Sequence, residues 1–332
     1  MKWKLLASLA VSSLMISSCS RSTADRPKTD DAGIILQGTS SSSIAIAYWQ
    51  WFSQLAVNHN INGDVQVMGS GESIRRFLSG TIDFAGTDTA PASDQFQAAK
   101  RGMLAFPVTA RAIAVAYNHP GCTLQLSRQQ LAEIFLGKIR DFSELGCNRK
   151  PIRVLYRQSP SGTTATFTAT LSAFSATWRN GPGAGLQVNW PTGTPVADSE
   201  AMIQTLSETP GSLGYVEAAY VGKPLSTAGL ASRSGSFLQP TSRETARALN
   251  TIQLDARLLG QNPDPEAGYP IVSLAWVLVP RRLDSAKAEA LRTSVNYMLS
   301  QSGQDDAERL GYAPLPEAVL AKSKQQIDKI QP

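Results

Sequence analysis

The chain has 332 residues, 42% of them hydrophobic, so it is long enough for one large or two medium domains with a sizeable buried core. Lysine and arginine number 31 against 26 acidic residues, which gives a formal charge of +5. This excess is too small to indicate a nucleic-acid partner, and it falls by two if the basic start of the chain is removed.

The first residues have the pattern of a targeting segment. Lys2 and Lys4 give it a basic start, an apolar run covers residues 5–16, and small residues precede Cys19. The run is shorter than the roughly 20 apolar residues that a spanning helix needs. We therefore predict that residues 1–18 are a lipoprotein signal peptide and that the protein is exported to the periplasm, where lipid on Cys19 anchors it to a membrane. A plain secretory signal is the alternative.

After this segment, a polar stretch leads into alternating strands and helices. Residues 19–32 contain almost no large apolar side chains, which predicts a flexible tether. The patterns that follow predict strand 34–36, helix 44–57, strand 65–68, helix 73–78, strand 112–117, helix 128–136, strand 152–156, helix 163–174, a Gly/Pro-rich loop 180–194, strand 271–279 and helix 285–299. Strands followed by helices predict an α/β fold with sheets flanked by helices and ligands at the carboxyl ends of strands.

Apart from Cys19, the sequence contains two cysteines, Cys122 and Cys147. An even pair in an exported protein favours a disulfide between them, with two free thiols as the alternative. The two histidines, His59 and His119, have no metal-ligand spacing to these cysteines, so we predict no metal site.

Three strand-to-helix turns share an unusual density of glycine and hydroxyl residues. They are GTSSSS at 38–43, GSGES at 69–73 and SPSGTT at 159–164. Each places hydroxyls and free backbone N–H groups at the N-terminus of a helix, where an oxyanion is favoured. Ordinary helix capping explains any one of these turns, but three of them together indicate an anion site.

Two charged residues lie close to these turns. Arg157 precedes the third turn, near enough for its guanidinium to bind an anion held there. A carboxylate at Asp88 repels a fully ionised guest but accepts a hydrogen bond from one that still carries a proton. Phosphate has such a proton at neutral pH, whereas sulfate has none. A solvated surface arginine and an ordinary turn aspartate are the alternatives.

Five segments spread over the chain carry a recognisable set of motifs. They are GSGESIRRFLSGTIDFAGTDTAP (69–91), LAEIFLGKIRDF (131–142), RQSPSGTTATFTATL (157–171), PGSLGYVEAAYV (210–221) and YPIVSLAWVLV (269–279). In this order they resemble the phosphate-binding proteins of bacterial phosphate ABC importers. The resemblance implies a type II periplasmic-binding-protein fold, with parallel or mixed sheets and a ligand cleft between two α/β domains joined by two crossing strands. It implies domain I at 33–111 plus 272–332 and domain II at 112–271.

The same resemblance implies a set of phosphate-binding residues. They are Ser42, Ser43, Ser70, Asp88, Arg157, Ser161, Gly162 and Thr163. The family commonly has threonine, a bulky residue and proline at the first turn, where this chain has Ser42, Ser43 and Ile44. The backbone donors survive this change, but one wall of the cleft differs.

The resemblance also implies a role in transport. The expected protein is a monomer that binds inorganic phosphate with high affinity, uses no cofactor and delivers phosphate to the membrane subunits of an ABC permease. An enzyme is disfavoured, because the sequence has no nucleophile elbow, P-loop or cluster of metal-binding acids. The alternatives are a protein of the same fold for another tetrahedral oxyanion, such as sulfate or molybdate, and a phosphate sensor or adhesion protein.

Overall fold

A computed structural model describes residues 33–332, in which helices pack along a long mixed sheet. The strands are β1 (Ile34–Ser41), β2 (Ile61–Met68), β3 (Phe84–Thr87), β4 (Leu104–Tyr117), β5 (Gln125–Leu126), β6 (Arg153–Arg157), β7 (Thr194–Val196), β8 (Ser212–Glu217), β9 (Ser226–Thr227), β10 (Gly229–Ala231), β11 (Phe237–Leu238) and β12 (Val272–Val279). Every strand predicted from the sequence is confirmed, although β4 begins eight residues earlier than predicted.

The helices lie between these strands and after the last of them. The α-helices are α1 (Ala45–His59), α2 (Ser70–Leu78), α3 (Ser93–Ala98), α4 (Arg128–Phe135), α5 (Gly162–Phe174), α6 (Ala176–Asn180), α7 (Ser199–Glu208), α8 (Ser242–Leu249), α9 (Ser285–Met298), α10 (Gln301–Arg309) and α11 (Glu317–Lys324). Short 3-10 helices cover Phe142–Leu145, Ala218–Tyr220 and Ile327–Lys329. The predicted helices are all present, with ends shifted by at most three residues.

The main sheet has the strand order β2-β1-β3-β12-β4-β8-β6-β7, and β9 also pairs with β4. β1 runs parallel to β2 and β3, and β6 runs parallel to β7 and β8. In the middle of the sheet, β12 is antiparallel to β3 and β4, and β4 is antiparallel to β8. A small second sheet has the order β11-β10-β5. The sheet is therefore parallel towards its ends and antiparallel at its centre.

β4 links the two ends of the sheet because it changes its neighbour along its length. Its residues up to Ala112 pair with β12, and those from Ile113 onward pair with β8. All of its residues are buried, as expected for a nearly continuous apolar strand covered on both faces. One charged residue, Arg111, lies inside this apolar run, next to the change of neighbour.

Aromatic clusters fix the helices that begin at the predicted anion-binding turns. Tyr48 and Phe52 of α1 pack on Phe84 of β3, with ring centroids 5.8 and 5.1 Å apart. Phe167 of α5 stacks on Tyr215 of β8 with centroids 4.3 Å apart. Such contacts bury large apolar area and add a geometric preference, so they hold the starts of α1 and α5 in place against the sheet.

Two predictions concern the covalent and membrane attachments of the chain. A disulfide bond joins Cys122 to Cys147, whose Cα atoms are 5.4 Å apart. Cys19, the signal peptide at 1–18 and the tether at 19–32 lie outside the described residues. Within residues 33–332, no helix combines the length and the hydrophobicity that crossing a bilayer requires.

Candidate anion-binding site

The three predicted turns converge on Asp88, which follows β3. β1, β2 and β6 each end in one of these turns and lead into α1, α2 and α5. The side chain of Asp88 is buried, at 3% residue exposure, and receives hydrogen bonds from all three turns. The carboxyl ends of strands and the N-termini of the following helices therefore surround one carboxylate.

The hydrogen bonds to Asp88 come from hydroxyl groups. Ser43 Oγ donates to Oδ2 at 2.5 Å, and Thr163 Oγ1 donates to the same atom at 3.3 Å. Ser70 Oγ donates to Oδ1. An ionised carboxylate only accepts hydrogen bonds, so a hydroxyl that bonds to it must be the donor. The structure thus brings together Ser43, Ser70, Asp88 and Thr163, four of the predicted site residues.

Glycine at position 162 is required by the approach of α5 to Asp88. A Cβ atom at Gly162 would collide with the carboxylate of Asp88 and with the hydroxyl of Thr89. Gly69 has a similar role, because its Cβ would lie 2.7 Å from the carbonyl oxygen of Pro160. The second and third turns pack directly on each other through this glycine.

The starts of α2 and α5 present backbone N–H groups without side-chain caps. The residues that precede the two helices, Gly69 and Ser161, form no side-chain capping hydrogen bond. The first N–H groups that bond back along the chain are those of Ser73 and Ala165. The N–H groups before them have no intrahelical acceptor and suit an anion. Ser161 is itself buried, and its own N–H donates to the carbonyl of Leu186 at 2.9 Å.

Arg157 ends β6, and its buried guanidinium forms hydrogen bonds with uncharged oxygens. Its Nη1 donates to Ser199 Oγ at 3.0 Å, and its Nε donates to the carbonyl of Ala197 at 3.3 Å. Burial lowers the pKa of Arg157, while the negative charge of Asp88 opposes that shift. An arginine stays protonated at neutral pH, so this guanidinium is a buried cation held by hydrogen bonds to uncharged oxygens.

Ser42 lies on the side of the site where Arg157 is, and it does not bond to Asp88. Its Oγ is 3.3 Å from Ser199 Oγ, so Ser199 connects it to the arginine. Two tyrosines hold this turn by its backbone: Tyr220 donates to the carbonyl of Ser42 at 2.5 Å, and Tyr312 donates to the carbonyl of Ser43 at 2.8 Å.

Sequence reasoning missed Arg111 and Glu217, which complete the charged part of the site. Arg111 Nη2 lies 3.3 Å from Asp88 Oδ2, and Nη1 forms an ion pair with Glu217 Oε1. Thr163 Oγ1 is 3.0 Å from the same Glu217 oxygen. The available signal was an arginine inside the apolar run 104–117, because a buried charge needs partners. Glu217 lies at the end of a strand in the motif at 210–221.

These charges decide the ionisation of Asp88. Burial raises the pKa of its carboxyl, but the charge of Arg111 and the hydroxyls of Ser43 and Ser70 outweigh burial, so the pKa lies below its ordinary value. Asp88 is therefore an ionised acceptor at neutral pH. Among residues 33–332, no three His, Cys, Asp or Glu side chains are grouped so that they could hold a metal ion.

Two cavities reach the residues of this site. One of about 280 Å³ is lined by Asp88, Thr89 and Trp276 among others. A larger groove of about 590 Å³ is lined by Ser42 and Ser199. Both sides of the buried cluster therefore border open space.

Comparison with known proteins identifies the family. A family model described as the PBP superfamily domain matches residues 22–302. The phosphate-binding protein PstS of Xylella fastidiosa is 30% identical over 290 residues, covering 82% of this chain and 78% of that protein. PstS of Pasteurella multocida is 29% identical over 297 residues, covering 84% and 86%. The chain therefore belongs to the PBP superfamily and, within it, to the family of the PstS proteins.

Solved structures agree on the fold. The structure of a high-affinity periplasmic phosphate-binding protein bound with phosphate superposes with a TM-score of 0.77 at 17% identity, covering 88% of this chain and 94% of the other. The predicted α/β, type II periplasmic-binding-protein fold is confirmed.

One relative carries the name of an enzyme. Alkaline phosphatase L of Pseudomonas aeruginosa is 28% identical over 249 residues, which cover 64% of this chain and 66% of that protein. The PstS relatives match a larger share of the chain and are named as binding proteins. The comparisons therefore favour a binding protein over an enzyme.

Proposed function

We propose that the protein binds inorganic phosphate in the periplasm and delivers it to the membrane subunits of an ABC permease. The observation that carries this proposal is the convergence of three helix-starting turns on the ionised Asp88, with the buried cation Arg157 beside them. The names of the PstS relatives support phosphate as the anion. The proposed ligands are the eight predicted residues: Ser42, Ser43, Ser70, Asp88, Arg157, Ser161, Gly162 and Thr163.

Asp88 accounts for selectivity between oxyanions. Because its carboxylate only accepts hydrogen bonds, a bound anion must bring a proton to it. Phosphate has such a proton at neutral pH, and sulfate would place an unprotonated oxygen against a negative charge. The guanidinium of Arg157 and the N–H groups at the helix starts then bind the remaining oxygens, which keeps a buried anion fully hydrogen-bonded.

The predicted pair of domains supplies a route for entry and release. Residues 33–332 form one compact unit, in which Thr163 bonds to Asp88 across the proposed boundary. β4 changes neighbour at Ala112 and Ile113, which agrees with domains at 33–111 plus 272–332 and at 112–271. Asp88 belongs to the first of these domains and Arg157 to the second. A hinge rotation there would divide the ligands of phosphate between two lobes and expose the anion.

The pattern of the first residues supports a membrane anchor. A signal peptide at 1–18 and lipid on Cys19 would hold a monomer at the membrane, with residues 19–32 as the tether to the binding domains. A single acyl chain gives only weak, reversible membrane binding, so a stable anchor on Cys19 needs more than one chain or further contacts with the membrane. Mass spectrometry of the purified amino terminus tests this part, and an unmodified Cys19 would contradict it.

The experiment for the proposed function is calorimetric titration of anion-stripped protein with phosphate, sulfate and molybdate in separate runs. One-to-one phosphate binding without sulfate heat supports the proposal. Binding of sulfate or molybdate alone would keep the fold but assign another anion. In a parallel assay, turnover of a phosphate monoester that is lost in Asp88→Asn would favour an enzyme at the same site.

A further inference from the structure

Arg111 is at the centre of the site, although it is not among the proposed phosphate ligands. Its side chain is 1% exposed, in the middle of β4. One nitrogen of its guanidinium pairs with Asp88 and another pairs with Glu217. Nη2 also donates to the backbone carbonyl of Asp88 at 3.2 Å. One arginine thus joins the end of β3 to the end of β8.

The two buried arginines of the site, Arg111 and Arg157, have different partners. The acidic and basic side chains near Arg111 are Asp88, Glu217 and Arg157, and the hydroxyls of Tyr220 and Tyr312 also face it. Two arginines therefore accompany two carboxylates. Both carboxylates pair with Arg111, whereas the guanidinium of Arg157 bonds to the oxygens of Ser159, Ala197 and Ser199.

We propose that Arg111 is a specificity-determining residue of the anion site. It pairs with both Asp88 and Glu217, so the positive charge of Arg157 remains available to pair with the bound anion. This inference rests on the proposed function. It assigns Arg111 an electrostatic role exerted through Asp88 and Glu217, without contact to phosphate. Arg111 sets the net charge that a phosphate ion meets on entering the site.

Thr163 shows why the second carboxylate needs this arginine. Its single hydroxyl lies 3.3 Å from Asp88 Oδ2 and 3.0 Å from Glu217 Oε1. One hydroxyl has one proton, so it cannot donate to both carboxylates at once. Without Arg111, the fully buried Glu217 would have no cation beside it, and burial favours the protonated form of such a group. Once that proton is lost, an added negative charge would face the anion.

The experiment measures the phosphate affinity of the wild type, Arg111→Met and Arg111→Met/Glu217→Gln at pH values on both sides of neutrality. We expect Arg111→Met to bind at least about tenfold more weakly on the alkaline side, with a smaller loss on the acidic side. The double variant removes both charges of the pair, so its affinity should return to within about threefold of the wild type at each pH. Equal profiles for Arg111→Met and the wild type would overturn the inference, as would a double variant that stays weak.

A second variant keeps the inference testable if Arg111→Met does not fold. Glu217→Gln removes a negative charge and leaves Arg111 in place, so we expect phosphate to bind at least as tightly and sulfate to compete better. A role in packing alone predicts weaker phosphate binding in this variant, which would overturn the inference. Arg128→Met is the matched control, because Arg128 pairs with Asp264 outside the site. A wild type that binds no phosphate would refute the proposed function itself, whereas binding that is indifferent to Arg111 refutes only this inference.

Discussion

Gly162 at the start of α5 lies so close to Asp88 that any side chain at this position would overlap the carboxylate. The two residues come from the two proposed domains and are 74 positions apart in the sequence. Their contact brings the positive end of a helix directly onto an ionised acceptor. The close approach of the two proposed domains at the anion site therefore depends on the absence of a Cβ atom at position 162.

Replacement of Gly162 by alanine tests this dependence. We expect Gly162→Ala to push α5 away from Asp88 and to weaken phosphate binding by at least about tenfold, equivalent to about 1.4 kcal/mol. Gly222→Ala is the control, because a Cβ there meets no atom within 4 Å. Calorimetric affinities and melting temperatures of both variants check the prediction. An alanine at 162 that binds phosphate like the wild type would show that the close contact is not needed for binding.

Removal of the disulfide should lower the stability of the protein and leave the anion site intact. Cys122 and Cys147 close a loop of 25 residues, for which the chain-entropy model gives a stabilisation of about 3 to 4 kcal/mol. We expect the double variant Cys122→Ser/Cys147→Ser to unfold at lower denaturant concentration and to keep its phosphate affinity. Equal unfolding midpoints for the wild type in oxidised and reduced form would contradict the stabilising role.

The local parts of the fold were open to prediction from the sequence, because their signals are local. Apolar periodicity located β1, α1 and α9, and the glycine and hydroxyl turns located the starts of α2 and α5. The position of β12 between β3 and β4 depends on pairing between segments far apart in the chain. Spacing in the sequence predicts that a strand exists, but it does not say which strands will be its neighbours.

The residues of the anion site also form two groups: those that a local motif predicts and those that only the folded chain brings together. Ser43, Ser70 and Thr163 belong to turns with a recognisable composition, and the structure places all three on Asp88. Arg111 and Glu217 form a buried pair across 106 residues, and each is a single charged residue in an apolar strand. No local sequence motif predicts such a pair, because each buried charge is stabilised by a partner that only the folded chain brings near.

The ionisation of Asp88 makes stability depend on pH in a defined direction. Its pKa in the folded protein lies below its ordinary value of 3.8, so the folded state binds fewer protons than the unfolded chain in that range. The stabilisation is fully present above that value and is lost as the pH falls below it. We expect the difference in melting temperature between the wild type and Asp88→Asn, measured without phosphate, to shrink as the pH falls through this range. A constant difference would mean that Asp88 is not held ionised.

The same substitution tests selectivity. An asparagine amide donates hydrogen bonds, so Asp88→Asn should accept sulfate better and lose part of its preference for phosphate. Competition titrations with both anions measure the ratio of affinities. Asp94→Asn, an exposed aspartate near the start of α3, is the control and should leave the ratio unchanged. An unaltered ratio of affinities in Asp88→Asn would show that the carboxylate of Asp88 does not determine the preference for phosphate.

Arg157 supplies the positive charge of the proposed site, and its removal should be the most damaging single change to binding. Truncating one partner of a buried, hydrogen-bonded charge pair costs about 2 to 5 kcal/mol, so we expect Arg157→Ala to lose phosphate affinity by that amount. Arg157→Lys keeps the charge but loses the fork that binds two oxygens, and its affinity should fall between those of the alanine variant and the wild type. Arg153→Ala, at an exposed position of the same strand, controls for a general change in protein charge. If the two alanine variants bind phosphate equally well, Arg157 does not contact the anion, because a surface charge and a buried ligand cannot have the same effect.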